Sequence, residues 1–425
     1  MTYIRANIAD IDAWEQLGNP GWNWANLFPY YKKSENYTLP TDMQLATGAT
    51  YQPQYHGFDG PLHVGYPQLL TNGSFAQPIV ESWSRLLPHS MDLNSGDTYG
   101  FSIGPQTLDR ELDIRWDAAR AYYHPVMHRP NLKIMQGTVK EIKWTPKTGT
   151  KPSGNGCNLV AKGVEYLTED GKICFLEANK EVILSAGALR TPLVLESSGV
   201  GNPRILKSLG IQPKVDLPGV GENLQVVGAV VVDYEGDGSL EQPASAYHAN
   251  AKVADLFGDD TAAIEASTRA SIPAWAQAAV AQSVDGLDVT NVEKLLGIHH
   301  DLIFKHNVTA AEVLTVMATT THYQSQGWAL FPFSRGSVHL GDAEKINEPI
   351  IDPRLHLADF DLAIEMATGR FAQRFWQLEP ISTYVTGPHA ETPPPPNNAT
   401  DVQWKSYIES RSKFPFCLLI LSPPK

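Results

Sequence analysis

The stretch KEVILSAGALRTPLVLESSGVG at residues 180–201 constrains the fold more than any other part of the chain. It opens with an apolar run within 181–186, which is typical of a strand buried on both faces of a parallel sheet. Gly187 then supplies a turn. A helix is predicted from about 191 to 198, because Pro192 suits a first helical position, where a missing N–H costs nothing. A strand, a glycine turn and a helix in this order predict part of an α/β domain of the dinucleotide-binding kind.

The residues before this stretch predict antiparallel strands. The sequence NLVAKGVEYLTEDGKICFLEA at residues 158–178 predicts a hairpin whose turn lies at Asp170-Gly171. A dinucleotide-binding sheet should also contain a strand, a GxGxxG turn and a helix, followed about 20 residues later by an acidic residue. The chain contains no GxGxxG. PGVGENLQ offers only Gly219 and Gly221, for which a tight turn before a helix is at least as good an interpretation.

Charge and cysteine usage exclude several classes of partner and site. The net charge of −13 at pH 7 argues against nucleic acid and against an anionic membrane as partners. A metal site is not predicted, because the cysteines show no metal-ligand spacing. They lie at Cys157, Cys174 and Cys417.

Glycosylation sequons favour a secreted glycoprotein as the parent protein. They lie at Asn36, Asn72, Asn307 and Asn398. The first residues, MTYIRANIADIDAWE, lack the apolar segment of a signal peptide. The two observations conflict unless Met1 is not the true N-terminus.

Residues 187–201, GALRTPLVLESSGVG, resemble the second signature of the glucose–methanol–choline (GMC) family of flavin oxidoreductases. Further stretches are similar to other blocks of that family: DAWEQLGNPGWNWANLFPYYKKSE, RPNLKIMQGTVKEI, VDLPGVGENLQ and PFSRGSVHL. The similarity covers roughly residues 1–412 and is greatest to the branch that contains the fungal glucose oxidases. It implies a mixed α/β (α+β) fold, with a partial FAD-binding Rossmann-like domain and a substrate domain whose antiparallel sheet is backed by helices.

The resemblance also implies a division of the chain. Residues 1–114 would form a flavin-adjacent segment and the first part of the substrate domain. Residues 115–225 would form part of the FAD-binding domain, and residues 226–412 the substrate-binding domain. Residues 413–425 are interpreted as an aberrant tail.

Family membership would imply oxidation of a small-molecule alcohol or sugar. FAD would take a hydride from the carbinol carbon, and O2 would then receive the electrons, so that a lactone or aldehyde and H2O2 result. The family's proton acceptor is a histidine pair that maps beyond the point where this chain diverges, so no catalytic residue is assigned. His299, His300 and His322 are interpreted as structural or solvated.

A few residues match family positions at the cofactor and the substrate. Thr2 and Tyr3 match the segment beside the isoalloxazine ring, and Val139 matches a position whose backbone faces the adenine. Trp328 matches an aromatic residue of the sugar pocket. Leu314 stands where glucose oxidases carry another aromatic residue, which argues against strict glucose specificity.

Two departures from the family pattern set the expectation for activity. The family's glycine-rich ADP loop has no counterpart, and the closing run SRSKFPFCLLILSPPK stands where a histidine-containing segment is expected. We interpret the chain as truncated or mis-spliced at both ends, and we expect it to bind FAD weakly or not at all and to be inactive. The alternatives are an aryl-alcohol or other GMC oxidoreductase, and a non-catalytic remnant. A homodimer is left open.

Overall fold

The computed structural model describes residues 2–70, 73–147, 158–241, 246–284 and 286–411. The interpreted tail at 413–425 and the sequon at Asn72 lie outside the described residues. The α-helices in these ranges are α1 (Ile8–Gln16), α2 (Trp24–Ser34), α3 (Asp42–Ala46), α4 (Ala76–Trp83), α5 (Gly187–Ser197), α6 (Pro203–Ser208), α7 (Val253–Phe257), α8 (Thr261–Ala281), α9 (Val289–Phe304), α10 (Asp359–Trp376) and α11 (Asp401–Arg411). The strands are β1 (Glu35–Tyr37), β2 (Leu62–Val64), β3 (Gly100–Ile103), β4 (Leu108–Asp109), β5 (Ile114–Arg115), β6 (Thr138–Pro146), β7 (Leu159–Leu167), β8 (Ile173–Glu177), β9 (Val200–Gly201), β10 (Val215–Asp216), β11 (Glu222–Leu224), β12 (Val230–Gly236), β13 (Tyr247–Ala251), β14 (Ala311–Thr319), β15 (His322–Ala329), β16 (Gly336–Leu340), β17 (Pro349–Asp352) and β18 (Val385–Pro388).

A six-stranded antiparallel sheet has the strand order β18-β12-β15-β14-β13-β3. Along β15 and most of β14, buried and part-exposed residues alternate, because successive side chains of a strand point to opposite faces. The buried face packs against α4 and α10, where Trp83 stacks on Phe375 with ring centroids 4.3 Å apart. Trp376 of α10 donates its Nε1–H to Ser325 Oγ of β15 at 2.9 Å. The predicted antiparallel sheet backed by helices is therefore confirmed.

A second core lies between α8, α9 and the start of α10. Buried apolar side chains such as Ile272, Leu296 and Phe333 fill it. Trp275 of α8 donates to Asp359 at 3.1 Å, which satisfies the indole N–H and ties α8 to α10. This core also reaches Ala329, at the end of β15, so the helical layer fixes the position of that strand end.

The predicted hairpin is present within a three-stranded antiparallel meander of β6, β7 and β8. Its turn lies at the predicted residues. Gly171 has a φ of 79°, a left-handed conformation that glycine adopts without steric cost. The Thr168 N–H donates to Lys172 O at 2.9 Å and closes the turn.

The predicted helix after the glycine turn is present, but its start was misplaced. Helix α5 begins at Gly187 rather than near 191, and Pro192 lies inside it. Gly187 makes the turn with a φ of 80° and is at the same time the first helical residue. Because turn and helix share this residue, the proline occupies an interior position, where it removes one backbone hydrogen bond.

The parallel strand predicted at 181–186 is wrong. These residues form no strand and pair with none of the strands in the described ranges. Ile183 is 75% exposed instead of buried. An apolar run becomes part of a parallel sheet only where neighbouring strands accept and donate ladder hydrogen bonds, and the described residues place no such neighbour beside it.

The described ranges contain neither a membrane-spanning helix nor a cluster of metal ligands. No helix there is long and apolar enough to cross a membrane. No group of three or more His, Cys, Asp and Glu side chains there is arranged to hold a metal ion.

Candidate active site

The N-terminal segment runs along the edge of the six-stranded sheet and is held by backbone hydrogen bonds. Thr2 pairs with Gln106 in an isolated antiparallel bridge. The Tyr3 N–H donates to Pro105 O at 2.7 Å, and Asn94 Nδ2 donates to Tyr3 O at 3.1 Å. Thr2 is exposed and Tyr3 is half-buried, so the threonine is accessible while its backbone is fixed.

A network of buried charged side chains holds this segment in place through Arg5. Arg5 donates to Glu35 at 2.7 Å, and both side chains are almost completely buried. His56 lies between Glu35, at 3.0 Å, and Asp92, at 2.8 Å. Burial acts to lower the pKa of His56, but its hydrogen bonds to Asp92 and Glu35 outweigh burial, and the pKa is raised. The imidazolium form balances one of the two carboxylates, and Arg5 balances the other.

The face of the six-stranded sheet that points away from α4 and α10 carries polar and aromatic side chains. Residues directly opposite each other on neighbouring antiparallel strands have their side chains on the same face. Glu312 of β14 lies opposite Asn250 of β13 and opposite Trp328 of β15. His248 lies opposite Leu314. We call these five residues the polar face: His248, Asn250, Glu312, Leu314 and Trp328.

Three side chains on and beside the polar face form a chain of contacts. His248 Nδ1 lies 2.5 Å from Glu312 Oε1, and His248 Nε2 lies 3.4 Å from Thr2 Oγ1. His248 is 3% exposed, whereas Thr2 is exposed. Gly104 permits this approach, because a Cβ at that position would lie 2.9 Å from the His248 ring and 3.0 Å from Thr2 Cγ2. The threonine hydroxyl therefore covers a buried imidazole whose other nitrogen is held by a carboxylate.

Asn250 adds an unused donor to the polar face. Its side chain is buried, and among the described residues its Nδ2 has no hydrogen-bond partner. Buried donors are usually paired, and an unpaired one costs about 1–3 kcal/mol. A free donor opposite a carboxylate is the kind of group that orients a polar ligand.

Comparison with known proteins identifies the family to which this chain belongs. The sequence model of the GMC oxidoreductase family matches residues 1–227. The chain is 55% identical over 412 residues to the glucose oxidase-like protein fsoC of Humicola fuscoatra, with 96% of this chain and 68% of the relative covered. The chain belongs to the GMC oxidoreductase family. It is also 32% identical over 420 residues to a glucose oxidase of Aspergillus carbonarius, with 96% of this chain and 66% of that protein covered.

Two solved structures of longer chains share the fold. A FAD-dependent oxidoreductase from Chaetomium thermophilum superimposes with a TM-score of 0.84 at 23% identity, over 96% of this chain and 72% of the other. A fungal aryl-alcohol oxidase superimposes with a TM-score of 0.79 at 24% identity, over the same shares of the two chains. At these identities the likeness shows the fold alone. The present chain spans about two thirds of the length of its curated GMC relatives.

The structure brings together some of the residues singled out in this GMC oxidoreductase and separates others. Thr2 contacts the polar face, and Trp328 and Leu314 lie on it. Trp328 also packs against the second core, so it contributes to both the site and the packing. Val139 lies in the separate meander, opposite Tyr166 of β7 and half-buried. The match of Val139 to an adenine-facing position stays a prediction.

Sequence reasoning missed His248, Asn250 and Glu312. The alternation of β13 was a usable signal, because it places His248 and Asn250 on one face. Glu312 lies 64 residues from His248 in the chain. Nothing local in the sequence indicates that β13 and β14 pair in the register that joins the two side chains.

The histidines interpreted as structural or solvated have partners within the protein. His299 Nδ1 lies 3.2 Å from Arg335 Nη2, and burial together with the arginine charge lowers the pKa of His299 to about 3. His300 Nε2 lies 3.1 Å from Glu265 O. His322 Nε2 lies 3.1 Å from Asp233 Oδ1 at the far end of β15. A histidine held neutral by burial, as His299 is, suits packing better than proton exchange with solvent.

The predicted glycosylation sites differ in accessibility. Asn307 and Asn398 are exposed. Asn36 is half-buried in β1, between the buried residues Glu35 and Tyr37. Asn72 lies outside the described residues.

Proposed function

We propose that this GMC oxidoreductase is an FAD-dependent enzyme that oxidises the CH–OH group of a small alcohol or sugar and passes the electrons to O2. The observation that carries the proposal is the polar face, where Asn250, Glu312 and Trp328 lie in a row across three neighbouring strands and His248 contacts the exposed Thr2. The 55% identity to a glucose oxidase-like relative supports the same class of reaction.

The polar face suits a polyhydroxy or benzylic substrate. The Trp328 ring offers an apolar surface that can pack on C–H groups of a sugar or on an aryl ring. Glu312, an acceptor, lies directly opposite Trp328 on the neighbouring strand, and Asn250, whose Nδ2 can donate, lies opposite Glu312 on the next strand. An apolar wall with a few fixed polar groups is the usual composition of a small-molecule site.

The residues beside this site fit the ring end of FAD. Thr2 is exposed, and its backbone is fixed by the bridge to Gln106, so a planar group can lie against it without a rearrangement. Bound FAD would supply a two-electron acceptor for the hydrogen on the carbinol carbon. The sequence contains no GxGxxG to bind the pyrophosphate. We therefore expect that a chain of these 425 residues binds FAD weakly.

A second candidate substrate class is favoured by one residue. Leu314 lies on the polar face next to the Glu312–Trp328 pair. From the sequence resemblance, it occupies a position that matches an aromatic residue of the glucose oxidases. A leucine leaves more room and one aromatic ring fewer for stacking on a sugar ring. Aryl alcohols are therefore the alternative substrates, and a solved structural neighbour is named as an aryl-alcohol oxidase.

The test is a flavin and peroxide measurement on the purified chain. The visible flavin absorbance is recorded before and after incubation with excess FAD, and peroxide release is then followed with glucose and with benzyl alcohol. Peroxide with either alcohol supports the proposed class, and the ratio of the two rates decides between sugar and aryl substrates. No flavin uptake and no peroxide would support the non-catalytic remnant instead.

A matched pair of tryptophan variants links turnover to the polar face. Trp328→Ala should raise KM by about tenfold, because an aromatic contact is worth about 0.5–1.5 kcal/mol beyond the area it buries. Trp22→Ala is the control, because Trp22 is half exposed and stacks on Trp14 instead of contacting the polar face. Equal KM values for the two variants would remove Trp328 from the site.

A further inference from the structure

Strand β8 presents an unpaired edge of the meander. It is the last strand in the order β6-β7-β8, and no described strand pairs with its outer side. The Thr168 N–H donates to Lys172 O at 2.9 Å, and the Ala178 N–H donates to Lys162 O at 2.8 Å. Residue pairs with and without hydrogen bonds alternate along an antiparallel ladder. The residues of β8 whose backbone N–H and C=O groups point away from β7 are therefore Ile173, Phe175 and Glu177.

The two edges of the meander differ in their protection. On the β6 edge, the Ile142 N–H donates to Ser198 Oγ at 2.7 Å, and Ser197 Oγ donates to Lys140 O. The β8 edge has no such partner among the described residues. It also lacks the features that usually keep a free edge from pairing, because no proline, charge or bulge interrupts residues 173–176.

Three apolar side chains lie beside the β8 edge on one face of the meander. Leu167 lies opposite Ile173, and Phe175 follows two residues along β8, so the three side chains point to the same side. Ile173 is 59% exposed and Phe175 is 46% exposed. The same face is charged farther in, where Lys143 pairs with Glu165 at 3.0 Å. We call Leu167, Ile173 and Phe175 the edge patch. Apolar side chains next to unpaired ladder groups are what an added strand binds.

We propose that the β8 edge pairs antiparallel with the same edge of a second copy of this chain, so that two meanders join into one six-stranded sheet. The register that fits sets Cys174 opposite Cys174 of the second copy. Ile173 of each copy then lies opposite Phe175 of the other. Both are outward-pointing residues, so these two pairs close with backbone hydrogen bonds. The two edge patches meet on one face and form a single apolar cluster.

The composition of β8 favours this register and a second copy as the partner. The one charged residue among the paired positions, Lys172, lies opposite Leu176, on which its methylene groups can pack, so no like charges are opposed. A shift that centres the pairing on Phe175 would set Ile173 opposite Glu177 and lose both apolar pairs. A two-fold pairing occupies the free edge of both copies, so association ends at the dimer.

The first test measures association of the full chain by sedimentation velocity over a wide range of concentration, without cofactor or substrate. One strand pair buries a small area, so the dimer should be weak and should grow with concentration. Phe175→Lys should stay monomeric, because it puts a charge on both edge patches. Ile183→Lys is the matched control, since Ile183 is 75% exposed but lies outside the three strands, and it should dimerise as the wild type does.

Three results of this test would overturn the proposal. The first is a wild-type chain that stays monomeric throughout. The second is a loss of association in Ile183→Lys as large as in Phe175→Lys, because exposed apolar surface in general would then cause the association. The third is growth of the wild type beyond the dimer, which a closed two-fold pairing does not allow.

The second test reads the register through the cysteine of β8. Residues opposed in a pair without hydrogen bonds have Cα atoms about 4.5 Å apart, a separation that a disulfide can span. A chain with Cys157→Ser and Cys417→Ser keeps Cys174 as its one cysteine. Mild oxidation should convert it to a covalent dimer on a non-reducing gel, and adding Phe175→Lys should prevent this. A dimer that does not cross-link, or cross-linking that Phe175→Lys leaves unchanged, would refute the pairing.

Discussion

Replacing His339 should show how much its ion pairs with Glu196 and Glu222 contribute to the free energy of unfolding. These pairs connect helix α5 to the sheet of β11, β16 and β17. His339 Nδ1 lies 2.7 Å from Glu196 Oε1, and its Nε2 lies 3.3 Å from Glu222 Oε1. The second carboxylate oxygen of Glu196 accepts from the Leu340 N–H at 2.7 Å. Both glutamates are almost fully buried, and the histidine side chain is 13% exposed.

The magnitude follows from the pKa of the imidazole. Burial acts to lower it, but the hydrogen bonds to Glu196 and Glu222 outweigh burial and raise the pKa of His339 from 6.5 to about 9. At about 1.4 kcal/mol for each pKa unit, this difference corresponds to roughly 3 kcal/mol of folding free energy. Because the folded-state pKa is raised, the contribution is fully present below about pH 6.5 and is lost as the pH rises through about 9.

The assay is urea unfolding of the wild type and His339→Gln at pH 6 and at pH 9.5, followed by tryptophan fluorescence. At pH 6 the variant should be less stable by roughly 3 kcal/mol, and at pH 9.5 the difference should be much smaller, because the wild-type imidazole is then mostly neutral. His306→Gln, at an exposed position, is the control and should match the wild type at both values. A stability difference that stays the same or grows at pH 9.5 would refute the reasoning.

Three further predictions concern the N-terminal segment and the surface. Arg5→Met should cost about 3–5 kcal/mol in urea unfolding, because it leaves the Glu35 carboxylate buried with less compensating charge, and Arg5→Lys should cost less. Gly104→Ala should cost about 1–3 kcal/mol, because the added Cβ would lie 2.9 Å from the His248 ring; an unchanged unfolding midpoint would contradict this packing. When the protein is expressed in a secretory host, glycopeptide mass spectrometry should find glycans at the exposed Asn307 and Asn398 and few at the half-buried Asn36. Heavy occupancy of Asn36 would argue against its burial in β1.

Several features followed from the sequence by itself because their causes are local. The turn at Asp170-Gly171 forms where predicted, since only glycine adopts the required φ at no cost. The family assignment also needed no structure, because GALRTPLVLESSGVG fixes residue types at closely spaced positions. The antiparallel sheet backed by helices followed from that resemblance.

Other features depend on contacts with residues that are distant in the sequence. The run at 181–186 has the composition of a buried strand, yet the described residues provide no neighbouring strand, and a strand exists only as part of a ladder. Pro192 predicts a helix start, but the helix begins at Gly187, the residue that also makes the turn.

The candidate site is the clearest product of tertiary structure. Alternation along β13 places His248 and Asn250 on one face, and this much is readable from the residues. Their meeting with Glu312 and Trp328 depends on the register of β13, β14 and β15, and a slip of one residue would turn each side chain to the opposite face. That register is fixed by the burial of the other face against α4 and α10, which is a property of the whole core and not of any one segment.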